Sequence, residues 1–351
     1  MSKITVFKRF DHAIFHLSFF SFIIFNLLCC NISFAQKNNA SNQDSTLFDA
    51  AKNIISQVTV SPVNKVLIVN SNSKNKITRE IVSILKNQEI PYVQITLDSQ
   101  LKSEIPYLKN FIPNIPDDWG LIFLMDVPHA PFLFSTVGRP DTGILIREDN
   151  MFCDWLANEE TTIRTYSVNM DELNKFSQRL ISKLQNADRI RITTKKGTDV
   201  TITPRHWNKS IGEVWTPPDE TQSEGRIVID GTAYWGPVKN TFILHIEKGR
   251  VINIGDLDIS DKQQENVKKD LTRDDNSNVL AELGIGINNK ALPDKDLMEA
   301  EMARGTCHFG FGNNIMYGGM NKSSYHFDLT VLNPTIEVDG EIICKEGKYS
   351  F

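Results

Sequence analysis

Val279-Leu-Ala-Glu-Leu-Gly-Ile-Gly-Ile-Asn288, followed by Gly305-Thr-Cys-His-Phe-Gly-Phe-Gly-Asn313 and Tyr325-His-Phe-Asp328, decides the reading of this chain. Each piece is an apolar, β-prone run with a metal-capable side chain inside it. These are Glu282, His308, and the pair His326 and Asp328. A bare charge in such a run is costly unless it is paired or bound to a metal. His326 and Asp328 are two apart, so a strand puts them on one face. Three strands bringing carboxylate and imidazole to one spot would make a rigid metal site.

A further carboxylate, Glu213, stands in Gly212-Glu-Val-Trp-Thr-Pro-Pro218, a short extended piece ended by the two prolines. Each residue also has a plainer reading. Glu213 could be a surface glutamate, and Glu282 a helix-end glutamate paired with Arg304. His308 could be a hydrogen-bonded core histidine, and a His-x-Asp pair arises by chance. The set says more than its members. Glu213, Glu282, His308, His326 and Asp328 supply donors enough for two cations, which together could polarise a carbonyl and activate a water.

The site region belongs to a β-rich part that begins near residue 188. Arg189–Thr194 and Asp199–Thr203 alternate polar and apolar across a Gly turn, the pattern of a hairpin. Gly225–Asp230, Thr241–Ile246 and Arg250–Ile254 continue in strand register. Residues 46–187 read differently. Lys65–Asn70, Tyr92–Leu97 and Gly120–Asp126 are strands, two of them continuous apolar runs of the kind buried on both faces. Helices are expected over Leu47–Val58, Ile77–Leu85 and Met170–Leu184. The expected architecture is therefore an α/β N-terminal domain with a Rossmann-like parallel sheet (46–187). An α+β C-terminal domain rich in antiparallel strands (188–351) holds the metal. No Gly-x-Gly-x-x-Gly or P-loop follows the first strand, so nucleotide binding is not expected. Asp126 and His129 end a parallel strand, where clefts form, but nothing nearby in sequence completes a site.

The first residues look like an export signal. Lys3, Lys8 and Arg9 precede an apolar run from Ala13 to about Leu28, and Ser33 and Ala35 fit cleavage after Ala35. The run is short for a membrane span of about 20 residues, so no stable membrane anchor is expected. The expected location is periplasmic or secreted, with residues 36–45 a flexible polar lead-in. Without 1–35, the chain keeps 35 basic and 42 acidic residues, a net of −7. That argues against a nucleic-acid partner. Cys153, Cys307 and Cys344 remain, too few and too scattered for a disulfide framework or a zinc ribbon.

Residues 189–347 resemble the thermophilic-type leucyl aminopeptidases, a metallo-aminopeptidase family. The resemblance is carried by Arg191-Ile-Thr-Thr194, Gly197-Thr-Asp-Val200, Gly212–Pro218, Ala281–Asn288, Gly305–Asn313, Tyr325–Asp328 and Glu337-Val-Asp-Gly340. It implies two divalent metal ions (zinc, cobalt or manganese) on Glu213, Glu282, His308, His326 and Asp328. It also implies a homodimer and a short peptide substrate cleaved at its N-terminal bond. Ile315 stands at the offset of the family's tyrosine ligand, with Tyr317 nearest. Glu282 is the expected bridging ligand or proton shuttle, and Tyr317 would assist Glu213 at the second ion. More distantly the same region is similar to the 2,5-dihydroxypyridine dioxygenases. That resemblance implies one Fe(II) on His308, His326 and Asp328. A relative that binds without catalysis is a third reading. Glu213 and Glu282, which a single iron does not need, favour the hydrolase at this stage.

Overall fold

The computed structural model describes residues 42–59, 65–97, 115–116, 118–125, 150–154, 156, 158–233 and 236–351. The expected signal segment 1–35, residues 36–41 of the lead-in, and Asp126 with His129 lie outside them. Among the described residues, no helix is long and apolar enough to cross a membrane.

Helix α1 (Asn42–Val58) starts before the expected Leu47 and buries Ala50, Ala51, Ile54, Ile55 and Val58. Strands β1 (Lys65–Ser71), β2 (Tyr92–Leu97), β3 (Trp119–Leu124) and β4 (Met151–Asp154) form a parallel sheet in the order β2-β1-β3-β4. Val66 to Val69 are all buried, as a doubly covered parallel strand requires. Gly120 of β3 lies against α1, where a Cβ would meet the Val58 carbonyl oxygen at 2.5 Å. Helix α2 (Asn75–Asn87) buries Ile77, Ile81, Ile84 and Leu85 on one stripe. Strand β4 and helix α3 (Glu159–Tyr166) were not expected from the sequence. The segment Met151–Asp154 is too short to show a period.

Helix α4 (Met170–Leu184) matches its expected bounds. The Asn169 side chain caps it by accepting from the Asp171 and Glu172 amides. Its Phe176 packs on the C-terminal part, edge-on to Tyr349 and beneath the Arg304 guanidinium.

After α4 the architecture becomes antiparallel. The strands are β5 (Ile190–Thr193), β6 (Asp199–Ile202), β7 (Asn208–Lys209), β8 (Glu213–Thr216), β9 (Glu224–Ile229), β10 (Thr232–Ala233) and β11 (Gly236–Pro237). Next come β12 (Phe242–Glu247), β13 (Arg250–Val251), β14 (Leu280–Gly286), β15 (Thr306–Gly312) and β16 (His326–Leu332). The chain ends with β17 (Thr335–Val338), β18 (Glu341–Lys345) and β19 (Lys348–Tyr349). Helices α5 (Lys262–Leu271) and α6 (Leu297–Met302) lie between them. One sheet runs β11-β10-β16-β15-β14-β8-β7 and the other β13-β12-β9-β6-β5-β17-β18-β19. The chain passes between the sheets at β6–β7, β8–β9, β9–β10, β11–β12, β13–β14 and β16–β17, and apolar residues of both sheets form one core. The expected strand over Arg250–Ile254 is shorter. Only Arg250 and Val251 pair, and Ile254–Asp256 turns into a 3-10 helix.

Candidate metal centre

Strand alternation explains the site. On β14 and β15, Leu283, Ile285, Cys307, Phe309 and Phe311 are fully buried core residues. Glu282, Gly284, Gly286, His308, Gly310 and Gly312 occupy the opposite face. Directly opposed residues in antiparallel strands share a face. Gly286 faces Glu213, and Gly284 faces both Trp215 and His308. Gly310 faces Glu282 and Asp328, and Gly312 faces His326. Every donor therefore has a glycine beside it. A Cβ on Gly310 would meet Asp328 Oδ1 and His326 Cε1 at 2.7 Å and Glu282 Cβ at 2.8 Å. The Gly-x-Gly spacing in both runs is what leaves room for large polar side chains on this face.

All five expected donors come together. His308 Nε2 lies 3.2 Å from Glu213 Oε2 and 3.6 Å from Glu282 Oε1. His326 Nε2 lies 3.2 Å from Glu282 Oε2 and 3.1 Å from Asp328 Oδ1. Two donor groups result, Glu213–Glu282–His308 and Glu282–His326–Asp328, with ligand atoms within 4.8 Å of one another in each. Glu282 belongs to both. The plainer readings of two residues fail. Arg304 pairs with the Ile287 carbonyl oxygen rather than with Glu282. His308 is buried with Nδ1 unpartnered, so it is not a satisfied core histidine.

A cation fits this pocket on chemical grounds. His326 Nδ1 donates to the Asn313 carbonyl oxygen at 2.7 Å, which directs Nε2 at Glu282 and Asp328. Satisfying both sides requires a proton on Nε2 or a metal in its place. Burial opposes charge on both imidazoles, yet the carboxylates prevail. His308 is pushed up to about 10 by Glu282, Glu213 and Glu301, and His326 rises well above the histidine range. Burial also opposes the Glu282 carboxylate, but the two imidazoles hold it down at about 2. Burial lifts Glu213 to about 7, reinforced by Glu282 and Asp328. Glu213 Oε2 is buried and has no aligned hydrogen bond. The cluster thus holds protons where a divalent cation would balance its charge.

Tyr317 closes the pocket from the 3-10 turn Ile315–Tyr317. Its ring is 4.9 Å from the His326 ring and 5.0 Å, edge-on, from Trp215. Burial, and then the carboxylates, keep its hydroxyl protonated. Glu220 fixes this loop, accepting from Asn314 Nδ2 at 3.0 Å and the Met320 amide at 2.6 Å while pairing with Arg205. The sequence reading missed Trp215, whose signal is its two-residue offset from Glu213. It also missed Glu301, a buried carboxylate on α6 with Oε1 unpartnered. Glu301 stands in an acidic segment that reads as solvated surface.

Residues 203–350 match the family model of 2,5-dihydroxypyridine 5,6-dioxygenase. No curated protein sequence matches the chain. Among solved structures, 2,5-dihydroxypyridine dioxygenase from Pseudomonas putida is similar at TM-score 0.62 and 16% identity, covering 89% of this chain and 98% of that one. Wild-type AmpT from Thermus thermophilus is similar at TM-score 0.62 and 12% identity, covering 88% and 100%. At such identities the two structures establish the fold: a parallel four-stranded sheet with helices, then antiparallel sheets.

These findings correct one expectation. The chain was expected to be a metallo-aminopeptidase, a hydrolase. The family model that matches residues 203–350 is that of an oxidoreductase instead. The argument from Glu213 and Glu282 fails for a physical reason. Both carboxylates lie against imidazole nitrogens. Carboxylate oxygens and imidazole Nε2 atoms gathered this closely can serve one ion as well as two, so their presence does not require a second one.

Proposed function

We propose that this protein is a non-haem iron dioxygenase acting on an electron-rich, hydroxylated aromatic ring of the dihydroxypyridine class. The observation that carries the reading is the family match over residues 203–350, the segment that contributes every donor of the cluster. His308, His326 and Asp328 would hold the ion, two imidazoles and one carboxylate of the kind that suits Fe(II) with open positions. A ferrous ion supplies the one-electron chemistry that lets dioxygen react with a ring.

The protein's own residues prepare the pocket. Asn313 fixes the His326 tautomer through Nδ1. Glu282, placed between both imidazoles, keeps their Nε2 atoms turned toward one region. Trp215 and Tyr317 form an aromatic corner beside His326 against which a planar ring can pack. The neutral Tyr317 hydroxyl donates a hydrogen bond rather than repelling an anionic substrate. Buried apolar residues behind β14 to β16 keep the site rigid.

The test is anaerobic loading with ferrous ion, metal analysis, and dioxygen uptake with 2,5-dihydroxypyridine. The expected result is bound iron and substrate-dependent uptake with loss of the ring absorbance. Iron-loaded protein that consumes no dioxygen with this or related dihydroxylated rings would sink the reading.

A further inference from the structure

Among the described residues, Glu301 is a buried carboxylate near the centre to which the resemblances give no role. It is 6% exposed, and Oε1 is buried with no hydrogen-bond partner. A buried carboxylate in that state is costly unless positive charge or a proton answers it. Its electrostatic neighbours are the cluster itself: Asp328, His308, Glu213 and Glu282. Burial first, and then Asp328, push its carboxyl well above the usual range.

The helix that carries it is fixed on the site face. A Cβ on Gly286, which faces Glu213, would meet the Ala303 carbonyl oxygen at 2.1 Å and that of Glu301 at 2.8 Å. The Asp296 side chain caps α6 by accepting from the Glu299 amide at 3.1 Å. Thr306 Oγ1 donates to the Ala300 carbonyl oxygen at 2.8 Å. Glu299, two residues from Glu301 and so on the other side of the helix, accepts from Arg164 Nη2 at 2.6 Å and the Leu292 amide at 2.9 Å. Glu301 is therefore not turned out to water. Nor does it join either donor group whose ligand atoms lie within 4.8 Å. It stands beside the cluster as its electrostatic neighbour, outside both groups and with Oε1 free.

We propose that Glu301 is a positioning carboxylate of the metal centre, acting through an ordered water or hydroxyl between its Oε1 and the donors, and that it sets how tightly the pocket holds a divalent cation. The proposal rests on reading the cluster as a metal centre, not on the oxygenase reaction. Outer carboxylates of this kind orient ligands and add negative charge, and their loss typically weakens metal binding about 10–100-fold.

The experiment titrates metal-stripped protein with Mn(II) and, anaerobically, Fe(II) against a chromophoric chelator, and melts each metal-free form. Glu301→Gln is expected to saturate with metal but bind it about tenfold more weakly. Its metal-free form should melt at or above wild type, because a repelled carboxylate is gone. Glu301→Asp should restore part of the affinity. Glu299→Gln, which loosens only the helix anchor, should melt lower with unchanged affinity. Unchanged affinity in Glu301→Gln overturns the proposal. So does complete loss of saturable binding, which would make Glu301 a direct ligand. Weaker binding that comes with a lowered metal-free melting point also overturns it, since the role is then structural. Wild type that binds neither ion removes the metal-centre reading itself.

Discussion

Gly284 lies directly across the β14–β15 ladder from His308, so close that a Cβ on Gly284 would meet His308 Cε1 at 1.9 Å and Nε2 at 2.0 Å. The imidazole occupies the space a side chain would fill. Gly284→Ala must push a buried ring out of place, and overpacking of this kind costs about 1–3 kcal/mol. The expected outcome is a folded but less stable protein that has lost its cation. Gly255→Ala, with nothing within 4 Å of the added carbon, should change neither property. Metal analysis and thermal melting of both variants check this. A Gly284→Ala protein with full metal content would show that His308 does not hold the ion.

His326→Ala and Asp328→Ala should each lose bound iron and substrate-dependent dioxygen uptake, by more than the roughly hundredfold that loss of an outer partner causes. The fold should persist, because Phe327, Leu329 and Val331 on the opposite face of β16 keep their burial. Cooperative melting with no metal is the expected signature. Full metal content in either variant would refute the ligand assignment.

Much of this site was legible because β-strand alternation writes itself into sequence. In Leu-Gly-Ile-Gly-Ile the apolar positions that fill the core and the glycines that clear the site face alternate with period two. Glu282, His308 and His326 then stood out as exceptions needing a partner. The N-terminal parallel strands were legible for the opposite reason, since burial on both faces gives an unbroken apolar run such as Val66–Val69. Glu301 was not legible. It lies on a six-residue helix, too short for a period, and only packing turns it inward. The choice between hydrolase and oxygenase was illegible as well. Glu213 and Glu282 look the same in sequence whether a site takes one ion or two, and the match of residues 203–350 to a dioxygenase family model is what favours the oxygenase.

A second buried charge lies at the parallel sheet. Lys74 is fully buried, with Nζ donating to Asp154 Oδ2 at 2.9 Å, the Leu156 carbonyl oxygen at 2.8 Å and Thr162 Oγ1 at 2.6 Å. It ties the ends of β1 and β4 to α3. Removing one partner strands the other, at about 3–5 kcal/mol. Lys74→Ala should show that loss in denaturant unfolding, and Lys74→Met with Asp154→Leu should recover most of it. A single variant as stable as wild type would mean the pair is not buried in solution.

Export remains a proposal resting on the sequence of residues 1–35. N-terminal sequencing of secreted or periplasmic material should find Gln36 first. Material that keeps Met1 and stays in the cytosol would exclude it.

Protons and metal compete for the same atoms, which gives the centre a pH dependence with a definite sign. In the metal-free protein His308 is raised from 6.5 to about 10, chiefly by Glu282 and Glu213 against the opposing effect of burial. Its contribution to stability is therefore complete below pH 6.5 and is lost as pH rises through about 10. Glu282 is lowered from 4.5 to about 2 by the two imidazoles, again against burial. Its contribution is complete above pH 4.5 and is lost as pH falls through about 2. Glu213, lifted by burial from 4.5 to about 7, works the other way: its cost sets in above pH 4.5, where the unfolded chain ionises, and is complete by about pH 7. The metal-free protein should thus be most stable near pH 4.5, losing stability below it through Glu282 and above it first through Glu213 and then through His308. Metal binding must displace the protons on His308, His326 and Glu213, so affinity should rise with pH and binding should release protons. Calorimetric titration with Mn(II) in buffers of different ionisation enthalpy measures that release directly. The rise in melting temperature on adding Mn(II) should be larger at about pH 8 than at about pH 6. A stabilisation that does not change across that range, with no proton released, would mean the cation binds somewhere other than this cluster.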